Sequence, residues 1–290
     1  MAFDSSYLLT QVKVKASPPE GRYTDAEILQ LANDCMISHV VPMIISLKEE
    51  YYVTSEDQNL TASVASYPIP WRALGLSLRE VKKIQNSNII DLDRMSPEEI
   101  TSTSVSNSTQ GFYIQAQDVV IYPTPSSTQD SIRLYYFLTP SKMVAVTDCA
   151  VITAIDTGTG VVTATPPTTW TTSSSLDFCS QRNGHKTLGS SISPTAISTT
   201  TITFNTANLP STLAVGDYVA LAGETPYLQC PDVCFDLVVR LVSNELLESL
   251  GAQAELQAGM AKADKLQANV VSLLTNRVTG APKRSVITLI

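Results

Sequence analysis

The sequence predicts an α+β protein. Its core is a helical bundle of N-terminal helices and a C-terminal helical hairpin, which carries a β-hairpin and an inserted small β-sandwich or barrel. Three observations predict it. The run Tyr23-Thr24-Asp25-Ala26-Glu27 opens a helix with a capping box, and apolar residues then recur at helical spacing. Between about Ser141 and Pro226 helix signals vanish, and short β-branched runs alternate with turns. From Pro231 onward apolar residues return to helical spacing and hold it to about Asn276.

The first assigned element begins at Thr24, the N-cap, with Glu27 as its capping-box partner and Asp25 favoured by the helix dipole. Ile28, Leu31, Cys35, Val41, Ile44 and Leu47 carry that helix to about Tyr52. Pro42 lies inside the run and removes a backbone bond, so a kink or two abutting helices are expected there. From Asn59 to Gly75 the chain reads as extended or looped. Ser96, Pro97 and Glu99 signal a short second helix, cut off by a low-complexity stretch from Thr101. GFYIQAQDVVIYPTP and DSIRLYYFLTP then read as the two strands of a hairpin.

In the β-rich stretch, VITAIDTGTGVVTAT reads as strand, turn, strand, and STTTITFN as a further strand. LAVGDYVALAG reads as a hairpin around Val215, Gly216 and Asp217. Five to seven strands are expected in this module. After Pro231 the apolar set Cys234, Leu237, Val238, Leu241 and Val242 is wider than an amphipathic stripe, which implies burial on more than one side. Gly251 interrupts, and Leu256, Met260, Ala263, Leu266, Val270 and Leu273 carry a second helix. The expected organisation is 1–140 for the helical part with loop and hairpin, 141–226 for the inserted β module, 227–276 for the C-terminal hairpin, and 277–290 for an extended arm.

At 290 residues the chain needs no covalent staples to fold. Its net charge of −8 argues against gripping nucleic acid, which requires a basic field. The opening MAFDSSYLLT lacks the pattern of a signal peptide, and no apolar stretch approaches the ~20 residues of a membrane span, so no membrane partner is expected. Five irregularly spaced cysteines point to reduced thiols in a cytosol.

Catalytic patterns are weak. Asp156-Thr157-Gly158 has the triplet of an aspartic protease, but a TGTG stretch between two β-branched runs is ordinary hairpin-turn chemistry. Cys179 and His185 lie in one loop with no orienting acid apparent. Cys230 and Cys234 lack the two further ligands of a zinc site, and Cys234 reads as core. Trp71 and Trp170 read as core or interface residues before ligand platforms. The expectation is a non-enzyme, with no catalytic residue, cofactor or metal.

Three stretches together resemble the head-to-tail adaptor (connector) proteins of tailed bacteriophages. The first is RYTDAEILQLANDCMISHVVPMIISLKEEYYV with YPIPWRALGLSLREV. The second is the GFYIQAQDVVIYPTP…SIRLYYFLTP pattern. The third is VGDYVALAGETPYLQCPDVCFDLVVRLVSNELLESLGAQAE. The resemblance implies a structural virion protein at the head-tail junction, made in the host cytoplasm and carrying no enzymatic activity. It implies a ring of about twelve copies beneath the portal, with heterologous contacts around the ring. Such a ring extends the DNA channel past the genome without sequence-specific contact and docks a tail or tail-completion protein. Val238, Val242 and Leu246 are the ring-interface candidates. The competing expectation is a β-rich tail protein whose 141–226 module recognises a receptor or glycan through Trp170 and the 168–175 loop.

The last residues, KRSVITLI, combine Lys283 and Arg284 with a strand-like run containing Val286, Ile287, Leu289 and Ile290. Their chemistry suits addition to a partner's sheet edge, with the basic pair meeting acidic groups, and adaptors of this kind reach the portal through a C-terminal extension. Lys283, Arg284, Val286, Ile287, Leu289 and Ile290 are therefore the expected portal-binding arm.

Overall fold

A computed structural model describes residues 3–86, 88–98, 110–126, 128–182 and 184–275. The protein is α+β, as expected. Its first helix, α1 (Ser5–Ala16), forms where no element was expected. Asp4 caps it by accepting from the Tyr7 backbone N–H at 2.9 Å, and Leu8, Val12 and Ala16, four apart, make its buried face. Ser17, in the left-handed region at φ 43°, ends it.

Helix α2 (Asp25–Cys35) starts on the expected capping box, with both reciprocal Thr24–Glu27 bonds present. The chain then widens into a π-helical turn over Met36–Val40 and continues as α3 (Val41–Leu47). In regular α geometry the Pro42 ring would clash with the Ser38 carbonyl, and the wider turn takes up that misfit without breaking the helix. The helix stops at Leu47, short of the expected Tyr52. By length and composition the run Asp25–Leu47 is apolar enough to cross a bilayer, which the sequence reading had not anticipated. Its apolar side, including Ile28, Ala32, Val40 and Ile44, is buried in the protein itself.

The C-terminal hairpin forms as expected from α4 (Phe235–Ser249) and α5 (Gln253–Thr275). Gly251 at φ 70° makes the link: its N–H reaches the Glu248 carbonyl and the Ala252 N–H reaches that of Leu247, each at 3.0 Å. Helices α1, α2 and α5 all pack against α4. Gly259 of α5 abuts the Asn244 side chain of α4 so closely that a Cβ there would lie 2.2 Å from Asn244 Oδ1. The helix expected from Ser96 lies outside the described residues beyond Glu98, as do the low-complexity stretch 101–109 and the arm 277–290.

The chain divides into two compact units, residues 49–139 and residues 1–48 with 140–290. Among the described residues the first unit holds eight strands: β1 (Val53–Asn59), β2 (Ser66–Pro68), β3 (Ala73–Gln85), β4 (Asn88–Asp91), β5 (Asp93–Arg94), β6 (Gly111–Gln115), β7 (Asp118–Tyr122) and β8 (Ser131–Leu138). They form two sheets, ordered β1-β8-β3-β4 and β2-β7-β6-β5. Tyr67, Val81, Phe112, Ile121, Ile132 and Leu134 belong to their common core. The stretch Asn59–Gly75 is extended or looped as expected, holding the short strand β2 and the start of β3. Two expectations are corrected here. The hairpin lies inside the first quoted run, as β6–β7, with Ala116 at φ 55° in its turn. The second run, β8, pairs with β1 and β3 in the other sheet.

The β part of the second unit contains β9 (Lys142–Met143), β10 (Ala150–Val151), β11 (Ala154–Asp156), β12 (Val161–Thr163), β13 (Leu176–Cys179), β14 (Thr187–Ile192), β15 (Ala196–Ile197), β16 (Thr201–Thr203), β17 (Tyr218–Leu221) and β18 (Glu224–Thr225). Two four-stranded sheets, β10-β17-β13-β14 and β11-β12-β16-β15, close over Ile152, Val162, Trp170, Phe178, Ile202 and Phe204, while β9 pairs with β18. The module thus has more strands than the five to seven expected. LAVGDYVALAG is not a hairpin, because β17 pairs with β13 and β10 instead. The Asp217 carboxylate holds the turn before β17, accepting from the Gln181 and Ala214 backbone N–H groups at 2.9 Å each. Buried Asp177 similarly accepts from Ser191 and Gly223. Buried carboxylates are tolerated when such donors satisfy them.

Candidate functional site

The expected ring-interface residues Val238, Val242 and Leu246 are spaced four apart on α4, so they share one face. All three are 0% exposed within the chain itself. An enclosed side chain has no surface to offer a second copy, so these residues belong to the protein's own core, and the ring-interface expectation is corrected. The wide apolar face of α4 was read properly, but its partners are α1, α2 and α5 of the same chain.

Of the two C-terminal helices, α5 is the more exposed. Only Gly259, Ala263 and Val270 of this 23-residue helix are buried. Met260 and Leu273 stand 55% and 63% exposed, among the exposed Ala254, Ala258, Ala261 and Ala268. Lys283, Arg284, Val286, Ile287, Leu289 and Ile290 lie outside the described residues.

A buried polar cluster forms around His185, which the sequence placed in a polar turn. His185 is itself at φ 44°, following Gly184 at φ 90°, and this places the ring inward. Its Nε2 lies 3.1 Å from Asp232 Oδ1 and its Nδ1 3.3 Å from the Ser180 carbonyl oxygen. The ring stacks on Tyr227 at 4.4 Å, and Tyr218 meets Tyr227 edge-on. The cluster ties the β13–β14 connection to the turn that opens α4. Nothing in the RNGHKT stretch signals it, because Tyr227 and Asp232 are remote in sequence. Cys179 is not paired with this ring: its thiol donates to the Glu224 carbonyl at 3.5 Å.

Burial holds the His185 pKa below its ordinary value, while the Ser180 carbonyl and the Asp232 carboxylate oppose the shift. The folded pKa therefore lies below the unfolded one, and the unfolded chain takes up the proton first. Stability contributed by the neutral ring is present above pH ~6.5 and is lost as the pH falls through that value. Thermal unfolding between pH 7 and 5 should show the Tm falling, with a flatter profile in His185→Gln. A Tm that rises on acidification would mean that the imidazolium–Asp232 pair outweighs burial.

The other catalytic patterns fall to structural roles. Asp156 is exposed: its Oδ1 accepts from the Gly158 and Thr159 N–H groups at 3.0 and 3.3 Å, and its Oδ2 from the Thr159 hydroxyl at 2.6 Å. These bonds hold its pKa low and shape the β11–β12 turn. Cys230 and Cys234 are buried neighbours whose thiols hydrogen-bond, and that contact with burial pushes the Cys230 pKa up. Among the described residues, no group of three or more His, Cys, Asp or Glu side chains is placed to hold a metal ion. Trp170 is in the module's core, so it is not an exposed platform in the 168–175 loop, whereas Trp71 is exposed beneath the Arg72 guanidinium.

Comparison with protein families matches residues 6–158 to the family described as SU10 adaptor protein. That stretch is more than half of the chain. It runs from α1 through all of residues 49–139 and ends in the β11–β12 turn. The first two stretches behind the sequence resemblance fall inside it, and the third lies beyond. No curated protein matches the chain.

Proposed function

The chain belongs to the SU10 adaptor protein family, a family of phage head-to-tail adaptors, and from that premise we propose that it assembles as a ring beneath the portal, extends the DNA channel and docks the tail. It is a structural adaptor of the phage virion. The observation that carries the proposal is the family match across 6–158, which includes the helices α1–α3 and both sheets of the 49–139 unit.

In this reading the helices form the bundle core, and α5 supplies contacts between neighbouring copies through its exposed alanines, Ala254, Ala258, Ala261 and Ala268, which share the side opposite its buried face. About twelve copies close the ring. Net charge −8 suits a channel that lets DNA pass without holding it. The protein is made in the host cytoplasm, where its five thiols stay reduced, and it performs no catalysis. The portal contact is the 283–290 arm, with Lys283 and Arg284 set for acidic groups and the apolar residues for a sheet edge. A tail or tail-completion protein binds on the opposite side. The receptor or glycan reading loses one of its two motives with Trp170 in the core, which leaves it the exposed 168–175 loop.

Deleting Ser285–Ile290 tests the arm. The shortened protein should stay soluble, with an unchanged Tm, and lose co-sedimentation with the purified portal. Retained portal binding, or a misfolded product, would contradict the assignment.

A further inference from the structure

Helices α1 and α4 bring two cations together against one weak counter-charge. Lys15, in the last turn of α1, and Asp236, in the first turn of α4, stand 3.8 Å apart, near the outer limit of an ion pair. Arg240 lies one turn on from Asp236 along α4, close enough for its charge to act on Lys15. Burial is the main cause that lowers the Lys15 pKa; Asp236 opposes the shift, and Arg240 adds to it. Arg240 is half-buried, and its enclosed Nε has no hydrogen-bond partner. Among the described residues it has no ion-pair partner either. A guanidinium held in this way lacks an acceptor.

Further along α4 the imbalance reverses. Glu245 and Glu248 are exposed and three residues apart, where like charges on a helix repel. Glu248 stands in the last turn, at the negative end of the helix dipole, and that turn contains no basic residue. Arg22 reaches this end, but it donates to the Ser249 carbonyl at 3.5 Å. Neither glutamate has an ion-pair partner among the described residues. Helix stability favours cations here, so it does not account for the two carboxylates. Glu245 lies about 140° and Glu248 about 80° round the helix from Arg240, and about 8 and 12 Å along it. The opposite charges therefore do not meet within one chain.

We propose that the Lys15–Arg240 face of one copy receives the Glu245–Glu248 face of the next copy of this chain. The two faces are opposite in charge and lie on different sides of one helix. A head-to-tail contact joins two such unlike faces, whereas a two-fold contact joins a face to itself. A glutamate carboxylate also offers Arg240 the paired oxygens that a guanidinium fits. The proposal rests on the ring reading and deepens it by naming the charges that meet between copies.

The test uses the full chain, its purified portal and electron microscopy. Arg240→Glu alone and Glu248→Arg alone should each cut the number of ring-bearing portal particles about tenfold or more. An equal mixture of the two variants should restore the rings, because alternating copies then present complementary faces at every junction. The Tm of each isolated variant checks its fold. Glu248→Arg should leave the Tm unchanged or higher, since it removes an unfavourable charge from the helix end. Lys15→Glu and Glu245→Arg replace any variant whose Tm falls. Wild-type ring formation by the single variants would overturn the proposal and leave the ring reading standing. So would a mixture that assembles no better than its components. A wild-type chain that forms no ring would sink both.

Discussion

Gly160→Ala is expected to cost the β module more stability than any other change of one methyl group. Gly160 sits at φ 75°, in the turn between β11 and β12, and a Cβ there would lie 2.2 Å from the Phe204 carbonyl oxygen. That oxygen is backbone and cannot swing aside, because the Phe204 N–H donates to the Gly160 carbonyl at 2.9 Å and so fixes the approach of the two segments. The left-handed conformation alone costs a non-glycine residue about 1 kcal/mol, and the clash adds a displacement of β16 from β12. The expected loss is about 3 kcal/mol or more, read as a drop in the urea midpoint. A change within about 0.5 kcal/mol would show that the turn and β16 are not packed as described.

Leu246→Ala should be almost as damaging, and it separates two accounts of α4. Leu246 is fully enclosed by the protein's own helices. Its truncation should destabilise the isolated chain by about 2–5 kcal/mol, since the lost contacts leave a cavity. Met260→Ala on α5 provides the contrast, because Met260 is 55% exposed and should change the Tm of the isolated chain little. If Leu246→Ala instead left the monomer's stability intact and only prevented assembly, α4 would be an interface helix after all.

Several elements were legible because their signals are local. The Thr24–Glu27 capping box, the apolar periodicity of α4 and α5, and the Asp156 turn each lie within a few residues, and each formed as read. Helix α1 was missed because Val12, Lys13, Val14 and Lys15 alternate with the period of a strand, whereas the buried set Leu8, Val12 and Ala16 repeats every four. Strand β1 (VTSEDQN) carries little apolar pattern and is defined by its full register with β8, over seventy residues away. The β6–β7 turn uses Ala116 at positive φ where glycine or asparagine would have announced it.

The site was less legible than the fold. An apolar helix face looks the same in sequence whether its partner is the same chain or another copy, which is why Val238, Val242 and Leu246 were assigned to the ring. The His185 cluster depends on Tyr227 and Asp232, and no periodicity connects those positions. Trp170 reads as core or interface before platform, and it is in the core; its Thr and Ser neighbours prompted only the competing receptor or glycan expectation. Those residues bond among themselves, as in the Thr171 N–H to Ser174 hydroxyl contact at 3.0 Å, while the indole turns inward.

The central claim is that this chain is a ring-forming adaptor that meets the portal. Electron microscopy of the purified protein mixed with its portal tests it most directly. The account predicts a closed ring of about twelve copies stacked coaxially beneath the portal, with the channel continued through it. Portal particles unchanged by the addition, or a trimeric assembly of this chain bound to host surface polysaccharide, would contradict it.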